Sequence, residues 1–157
     1  MRLAAGVLFF VLASPVAAQP NPHDKAFWTG LAAKDFAVPE GESAAALALD
    51  AAGLLSSPDP ARRDGVGYEA LARWVYKDGL VPPADLESLR LRLQTGLKTG
   101  LGETDTTSAY GRSFSAIGLS ILAAADLKKP SMTQEAFDDL LSASTGYLGA
   151  EKDLRGF

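Results

Sequence analysis

The sequence predicts an all-α protein in which antiparallel helical hairpins stack as a short HEAT/armadillo-like α-α superhelix. Three observations predict this fold. Leucine and aromatic residues recur at the spacing of a helix face, while the alternation typical of a half-buried strand is nearly absent. Short Pro- and Gly-containing segments separate the helical stretches, and short connections make consecutive helices antiparallel. Two successive helix pairs also share a theme, because similar strings begin at Arg63 and at Arg112.

The first two helices are predicted from their N-terminal caps. Asp24 can cap a helix that ends near Asp35, and Ser43 can cap an alanine-rich second helix. Their apolar stripes consist of Phe27, Trp28, Leu31, Leu47, Ala51, Leu54 and Leu55.

A corner follows the second helix in the string SPDPARRDGVGYEAL. Pro58 and Pro60 cannot continue a helix interior, and Asp59 suits a tight turn. An arginine of the Arg62-Arg63 pair can bond the orphan carbonyl groups at the end of the second helix or an aspartate of a neighbouring corner. We therefore interpret this string as a corner between two packed helices, with a ligand-binding loop as the alternative.

The third helix is predicted to start near Ala61 and to stop at Asp78-Gly79. Gly65 and Gly67 lower its helix propensity, but they would permit a close crossing of two helix backbones. Its apolar stripe consists of Val66, Ala70, Leu71, Trp74 and Val75.

The fourth helix has the clearest amphipathic pattern. It opens at the string PPAD, residues 82–85, because proline is tolerated in a first helical turn. Leucines at positions 86, 89, 93 and 97 form one seam, and Arg90, Arg92 and Lys98 lie mostly off that seam.

The last two helices are predicted from a long stripe and a capping box. The fifth runs from about Ser108 to Leu127, and Ser131 with Gln134 forms an S-x-x-Q box for the sixth. Their stripes consist of Phe114, Ile117, Ile121 and Leu122, and of Phe137, Leu140, Leu141, Tyr147 and Leu148.

Residues 1–18 are predicted to be a signal peptide, which leaves residues 19–157 as a single helical-repeat domain. Arg2 precedes an apolar run from Leu3 to Ala13, and small residues at 16–18 suit a cleavage site. The run is shorter than the roughly 20 residues of a membrane-spanning helix. We therefore expect an exported protein, periplasmic or secreted, without stable membrane insertion after signal cleavage.

The composition limits the chemistry. The 15 basic residues are outnumbered by 19 acidic ones, and the net charge of −4 disfavours nucleic-acid binding. The chain has no cysteine, so no disulfide framework is expected. Its single histidine, His23, lies in a Pro-rich segment and is expected at the surface. No cofactor, metal ligand or catalytic residue is therefore assigned.

Three charged clusters are candidate binding sites. Arg63 and Asp64 lie beside Asp59, Arg112 lies beside two serines, and three charged residues occur in the string EKDLRGF. Arg63 and Arg112 occupy equivalent places in successive helix pairs and could line one edge of the stack, where they would hold an anionic peptide or a sugar acid. The candidate groove comprises Arg63, Asp64, Tyr68, Arg112, Glu151, Asp153 and Arg155.

Two of these features also have a purely structural interpretation. Glu151 and Arg155 are four residues apart, which favours a surface ion pair on a continuing helix. Aromatic residues could form a carbohydrate-stacking face, but aromatic residues at helical spacing more often belong to the core. The residues in question are Trp28, Tyr68, Trp74, Tyr76 and Tyr110.

Four strings resemble the bacterial family DUF2785, whose function is unknown. They are FWTGLAAKDFAVPEG, SPDPARRDGVGYEALARWVYKDG, YGRSFSAIGLSILAAAD and YLGAEKDLRGF, in the order and spacing of the family. The resemblance covers most of the range from Phe27 to Phe157. It implies an all-helical, HEAT-like or armadillo-like fold and supplies no activity.

The resemblance also implies a departure from the family pattern. Family members continue after the DLRG segment into a helical part with a Gly-Trp-Ala-His-x-x-x-His element, which this sequence lacks. We therefore expect either a fragment or a shortened member, in which an apolar end face of the helical stack is exposed.

Two functions are compatible with these features. The leading hypothesis is an exported scaffold that binds a protein or peptide partner in the cell envelope. The alternative is a small envelope hydrolase that uses carboxylate and arginine side chains.

Overall fold

The computed structural model describes residues 23–104 and 106–156, and all regular secondary structure in these residues is helical. The all-α class is thereby confirmed. The predicted signal peptide lies outside the described residues. The helices are α1 (Lys25–Ala32), α2 (Ala44–Leu54), α3 (residues 60–77), α4 (Pro83–Lys98), α5 (Ser108–Lys128) and α6 (Gln134–Ala150), followed by a 3-10 turn (Leu154–Gly156).

Helix α3 changes its winding along its length. Pro60–Arg62 and Glu69–Leu71 are α-helical, whereas Arg63–Tyr68 and Ala72–Lys77 have the wider π-helical turn. A π-helical segment bonds each carbonyl to an amide five residues later, so it shifts the side-chain register of the helix. The regular four-residue spacing expected for this helix is therefore interrupted twice.

Gly67 lies at the closest approach of α3 to α2. A Cβ atom at this position would lie 3.1 Å from the carbonyl oxygen of Ala51 and 3.1 Å from a methyl group of Leu55. The predicted close crossing is confirmed at Gly67. It does not involve Gly65, since a Cβ atom there would have no neighbour within 4 Å.

The predicted N-caps of the first two helices and the predicted stop of the third are confirmed, whereas α1 ends at Ala32 rather than near Asp35. The Asp24 carboxylate accepts a hydrogen bond from the Phe27 amide at 2.8 Å, and the Ser43 hydroxyl accepts one from the Ala46 amide at 3.5 Å. Gly79, just after α3, has a φ of 63°. Glycine adopts this left-handed conformation without the strain that a Cβ atom causes.

The predicted capping box at Ser131 is wrong. The N-cap of α6 is Thr133, whose hydroxyl accepts from the Ala136 amide at 3.1 Å. The amides of Ser131 and Met132 instead donate to the Asp126 carboxylate at 2.6 and 2.7 Å. Asp126, on the preceding helix, thus binds the amides of the connection. The N-cap is therefore two residues later than predicted.

The helices pack in an alternating order. α2 contacts α4, and α4 contacts α6, while α3 contacts α5. Within each hairpin, α2 packs on α3 and α4 packs on α5, the most extensive contact in the described part of the chain. The buried core contains residues from all six helices.

Most of the aromatic residues contribute to packing rather than to an open face. Trp28 and Trp74 are buried, which confirms the core interpretation for both. Tyr68 and Tyr110 are half-buried and Tyr76 is exposed.

The predicted stripe of α6 combines two faces of the helix. Leu140 and Tyr147 are buried, whereas Leu141 and Leu148 are exposed. Adjacent residues on a helix point about 100° apart, so Leu140 and Leu141 cannot both face the same neighbour. The prediction that Leu140, Leu141, Tyr147 and Leu148 form one buried stripe is therefore wrong.

His23 also differs from its prediction as a surface residue. Its ring stacks on Phe27 with a centroid distance of 4.0 Å, and Nδ1 lies 3.0 Å from the Asp50 carboxylate. The ring is half-buried, and it links the segment before α1 to α2.

Candidate functional site

Arg112 forms a buried ion pair with Glu151. The Arg112 side chain, near the N-terminal end of α5, is 0% exposed, and the Glu151 side chain is 2% exposed. Nε of Arg112 donates to one carboxylate oxygen of Glu151, and Nη2 donates to the other at 3.1 Å. This two-bond geometry is the strongest form of an arginine–carboxylate contact. It ties α5 to the segment that follows α6.

The remaining donors of Arg112 close the end of α4. Nη1 donates to the carbonyl oxygens of Gly100 at 2.6 Å and Thr99 at 3.3 Å, and to the Ser108 hydroxyl at 2.8 Å. Nη2 also donates to the carbonyl oxygen of Glu103 at 3.4 Å. Thr99 is the C-cap of α4, and Gly100 and Glu103 follow it in the connection to α5. The Arg112 guanidinium therefore bonds carbonyl groups of the connection that lack helical partners. All three nitrogens of Arg112 are therefore engaged within the protein.

A second ion pair lies beside the first. Arg155 donates from Nε to the buried Asp153 carboxylate at 2.8 Å and from Nη2 to the carbonyl oxygen of Thr106 at 3.0 Å. The predicted pair between Glu151 and Arg155 is wrong. α6 ends at Ala150, so the two residues do not share a helix face.

The ion pair shifts the pKa values of its own two groups and of the neighbouring Tyr147. The hydrogen bond from Arg112 holds the pKa of the Glu151 carboxyl below its ordinary value, and the carboxylate in turn raises the pKa of Arg112. Burial raises the pKa of Tyr147 to about 12, and the negative charge of Glu151 adds to this effect. Both partners of the pair are thus charged at neutral pH.

Arg63 has a different environment at the corner between α2 and α3. Its Nη1 donates to the carbonyl oxygen of Ser57 at 3.2 Å, and Nε donates to the Asp64 carboxylate at 2.7 Å. Its guanidinium lies 4.5 Å from the ring centre of Tyr110 and 4.8 Å from that of Phe114. The corner interpretation is supported, because this arginine bonds a carbonyl group just after the second helix.

The seven predicted groove residues therefore separate into two groups. Arg112, Glu151, Asp153 and Arg155 form one connected network. Arg63 and Asp64 form the other group at the first corner, and Tyr68 is half-buried one helical turn later. Since Arg112, Glu151 and Asp153 are buried, their contribution to a binding groove stays a prediction.

A groove that the sequence did not reveal lies between the N-terminal ends of α4 and α6. It has a volume of about 260 Å³. We call it the α4–α6 groove; it is lined by Pro83, Leu86, Glu87, Arg90, Ser131, Met132, Thr133 and Ala136, and a shallower extension adds Glu135 and Asp139.

Arg90 forms the polar centre of the α4–α6 groove, although the leucine pattern placed it mostly off the buried seam. It is buried and donates to both carboxylate oxygens of Glu87, at 2.7 and 2.8 Å. It also donates to the Gln94 amide oxygen at 2.9 Å and to Asp139 at 3.3 Å. Polar residues at positions 87, 90 and 94 follow helical spacing, and this is the signal that could have located the groove.

Within residues 23–104 and 106–156, no group of three or more His, Asp or Glu side chains is arranged to hold a metal ion. No helix in this part of the chain is long and apolar enough to cross a membrane.

Comparison with known families identifies the C-terminal part of the chain. Residues 97–157 match the model of a protein family of unknown function. The matched family is DUF2785. The match confirms the resemblance for YGRSFSAIGLSILAAAD and YLGAEKDLRGF, while the two strings before residue 97 lie outside it. Arg112 and Glu151 both lie in the DUF2785 segment, and Arg63 lies outside it. No curated protein and no solved structure matches the chain.

Proposed function

We propose that this chain with its DUF2785 segment is an exported, HEAT-like helical scaffold that binds a protein or peptide segment. The observation that carries the proposal is the alternating packing, in which α2, α4 and α6 contact in series and α3 contacts α5. A stack in which each hairpin gives one helix to each layer has this pattern of contacts. Such stacks present extended surfaces on which partners bind.

The α4–α6 groove is the proposed site for an apolar anchor of the partner. Its lining includes Leu86, Met132 and Ala136, and a methionine thioether adapts its shape to different side chains. The size of the groove suits one or two side chains rather than a whole cofactor.

The charges around the groove indicate which flanking residues the anchor would carry. The acids Glu87, Glu135 and Asp139 outnumber Arg90, which already pairs with two of them. A carboxylate-rich rim attracts cationic side chains and repels anionic ones. We therefore propose a partner segment with an apolar side chain flanked by Lys or Arg.

Defined peptides test this site. Two fluorescein-labelled peptides with the same central leucine, one flanked by lysines and one by glutamates, are titrated with the protein and followed by fluorescence anisotropy. We expect the lysine-flanked peptide to bind at least about tenfold more tightly, and Glu135→Lys to remove most of that preference. Glu69→Lys, an exposed charge reversal on α3 outside the groove, is the matched control. Equal binding of both peptides would contradict the proposal.

Export is tested separately. N-terminal sequencing of the protein recovered from the periplasm or medium is expected to begin at Gln19, after the predicted signal peptide. Recovery of the uncleaved chain from the cytoplasm would contradict this part of the proposal.

The hydrolase alternative has weaker support. A carboxylate or arginine that acts on a substrate must reach it, whereas Arg112 and Glu151 are buried and bond each other. Asp64 is half-exposed, so it is an acid of the distinctive strings that a substrate could contact. A hydrolytic activity lost in Asp64→Ala with folding intact would favour this alternative over the scaffold.

A further inference from the structure

Met132 carries the one sulfur atom of residues 2–157. The sequence has two methionines and no cysteine, and the other methionine is Met1. Met1 belongs to the predicted signal peptide, so an exported and processed chain holds a single sulfur atom. Thioethers and thiols are the side-chain groups that peroxides oxidise most readily. A mild peroxide therefore has one preferred target in this protein.

Met132 lies in the connection between α5 and α6, where it lines the α4–α6 groove. Its side chain is half-buried and, like that of Leu86, packs against the core. Its amide donates to the Asp126 carboxylate at 2.7 Å, which fixes the backbone of Met132 beside the end of α5. The thioether is therefore held at the groove and keeps access to a small oxidant from solvent.

We propose that Met132 is an oxidation site that regulates the α4–α6 groove. Hydrogen peroxide transfers one oxygen atom to the thioether, so that a sulfur–oxygen bond forms, the oxygen–oxygen bond breaks and water leaves. The sulfur is oxidised by two electrons and the peroxide is reduced by two. The regulatory part of the inference rests on the proposed function, because the regulated event is the binding of the apolar anchor.

Oxidation converts an apolar part of the groove into a polar one. Leu86, Met132 and Ala136 belong to the lining proposed to receive the anchor. A sulfoxide oxygen accepts hydrogen bonds, and a leucine side chain that covers it removes its water without supplying a donor. The oxidised protein is therefore expected to release an apolar partner. Methionine sulfoxide reductases restore the thioether, so the change is reversible.

The charged residues of the groove do little to offset this cost. Arg90 is the basic residue of the lining. It already donates to Glu87, Gln94 and Asp139. The ionised acids of the rim accept hydrogen bonds and have no proton to donate to a sulfoxide.

Mass spectrometry tests the oxidation site. The folded chain is treated with dilute hydrogen peroxide, and circular dichroism verifies that its helices are retained. Tandem mass spectrometry of proteolytic fragments is expected to place one oxygen atom on Met132. An unmodified Met132 in the folded chain, under conditions that fully oxidise the urea-unfolded chain, would overturn the proposal.

The fluorescein-labelled, lysine-flanked peptide tests the regulation. Its affinity is expected to fall at least about tenfold after peroxide treatment and to recover after treatment with methionine sulfoxide reductase. Met132→Leu lacks the sulfur, so its affinity is expected to be the same before and after peroxide. Met132→Gln, which carries a polar group of similar length, is expected to bind about as weakly as the oxidised chain. Unchanged affinity of a chain with oxidised Met132 would overturn the proposal.

A methionine outside the groove is the matched control. The chain with Met132→Leu and Leu127→Met carries its thioether at a position of α5 that is 79% exposed in the unmodified chain. It is expected to be oxidised without a change in affinity. Equal losses of affinity in this chain and in wild type would overturn the proposal. A chain that binds neither peptide before oxidation contradicts the proposed function instead, and mass spectrometry then decides whether Met132 is an oxidation site.

Discussion

Arg63 and Arg112 begin similar strings in two successive helix pairs, but the fold gives them different environments. Arg63 pairs with its neighbour Asp64, whose side chain is 49% exposed, and lies against two aromatic rings. Arg112 is fully buried and bonds both oxygens of Glu151. One arginine completes a corner, while the other joins α5 to the segment after α6.

The difference comes from the chain that surrounds each arginine. The connection from α2 to α3 is short, and Arg63 reaches a single carbonyl group there, that of Ser57. The connection from α4 to α5 is longer and brings the carbonyl groups of Thr99, Gly100 and Glu103 around Arg112. The similar strings therefore each supply an arginine. The residues around that arginine decide how buried it is and how many hydrogen bonds it donates.

The largest effect is expected from Arg112→Met, which leaves the Glu151 carboxylate buried without its partner. Breaking a buried ion pair on one side costs about 3–5 kcal/mol. Urea unfolding followed by circular dichroism measures the loss. The double variant Arg112→Met with Glu151→Met is the control and is expected to be more stable than the single variant. A single variant within about 1 kcal/mol of wild type would show that the pair is not structural.

The same pair predicts a loss of stability in acid. Because Arg112 lowers the pKa of Glu151 in the folded state, the stabilisation is fully present above the ordinary glutamate pKa of about 4.3. It is lost as the pH falls through the lower folded-state pKa. Urea unfolding at a series of pH values is expected to show this loss in wild type and a smaller one in Glu151→Gln. Identical pH profiles would contradict the assignment.

A smaller effect is expected from Arg63→Met. The substitution removes the hydrogen bond to Ser57, the half-exposed pair with Asp64 and the stacking on the rings of Tyr110 and Phe114. Together these are worth about 1–2 kcal/mol, since methionine keeps the apolar part of the side chain. The same urea measurement places this variant between wild type and Arg112→Met. If the two arginine variants were equally unstable, the comparison of their environments would be wrong.

The smallest effect is expected from Asp64→Ala. Its carboxylate is half-exposed, and ion pairs of this kind contribute about 0.2–1 kcal/mol. Raising the salt concentration is expected to remove most of that difference, because exposed charges are screened. A loss as large as that of Arg63→Met would mean that the aspartate, rather than the aromatic rings, holds the arginine.

Features that depend on a few neighbouring residues could be predicted from the sequence. The caps at Asp24 and Ser43 and the stop at Gly79 follow from local backbone chemistry, and the structure has all three. The prediction failed where a group on the preceding helix competed. Thr133 caps α6 instead of Ser131, because Asp126 on the preceding helix binds the Ser131 amide, which the Gln134 side chain would bind in a local capping box.

The ion pairs show the same limit. The sequence spacing favoured a pair between Glu151 and Arg155. Because α6 ends at Ala150, Glu151 instead pairs with Arg112 on another helix. The helical spacing of the leucines likewise could not show that Arg90 is buried. One of its partners, Asp139, belongs to a different helix that covers it. Helix positions follow from local spacing, whereas the partners of charged groups follow from packing.

Two double-mutant cycles compare the arginines most directly, one for Arg112 with Glu151 and one for Arg63 with Asp64. Each cycle isolates the interaction energy of its pair from the other effects of the substitutions. The buried pair is expected to give a coupling of at least about 2 kcal/mol, and the half-exposed pair less than about 1 kcal/mol. Equal couplings, or a coupling near zero for Arg112 with Glu151, would contradict the view that this pair joins α5 to the segment after α6.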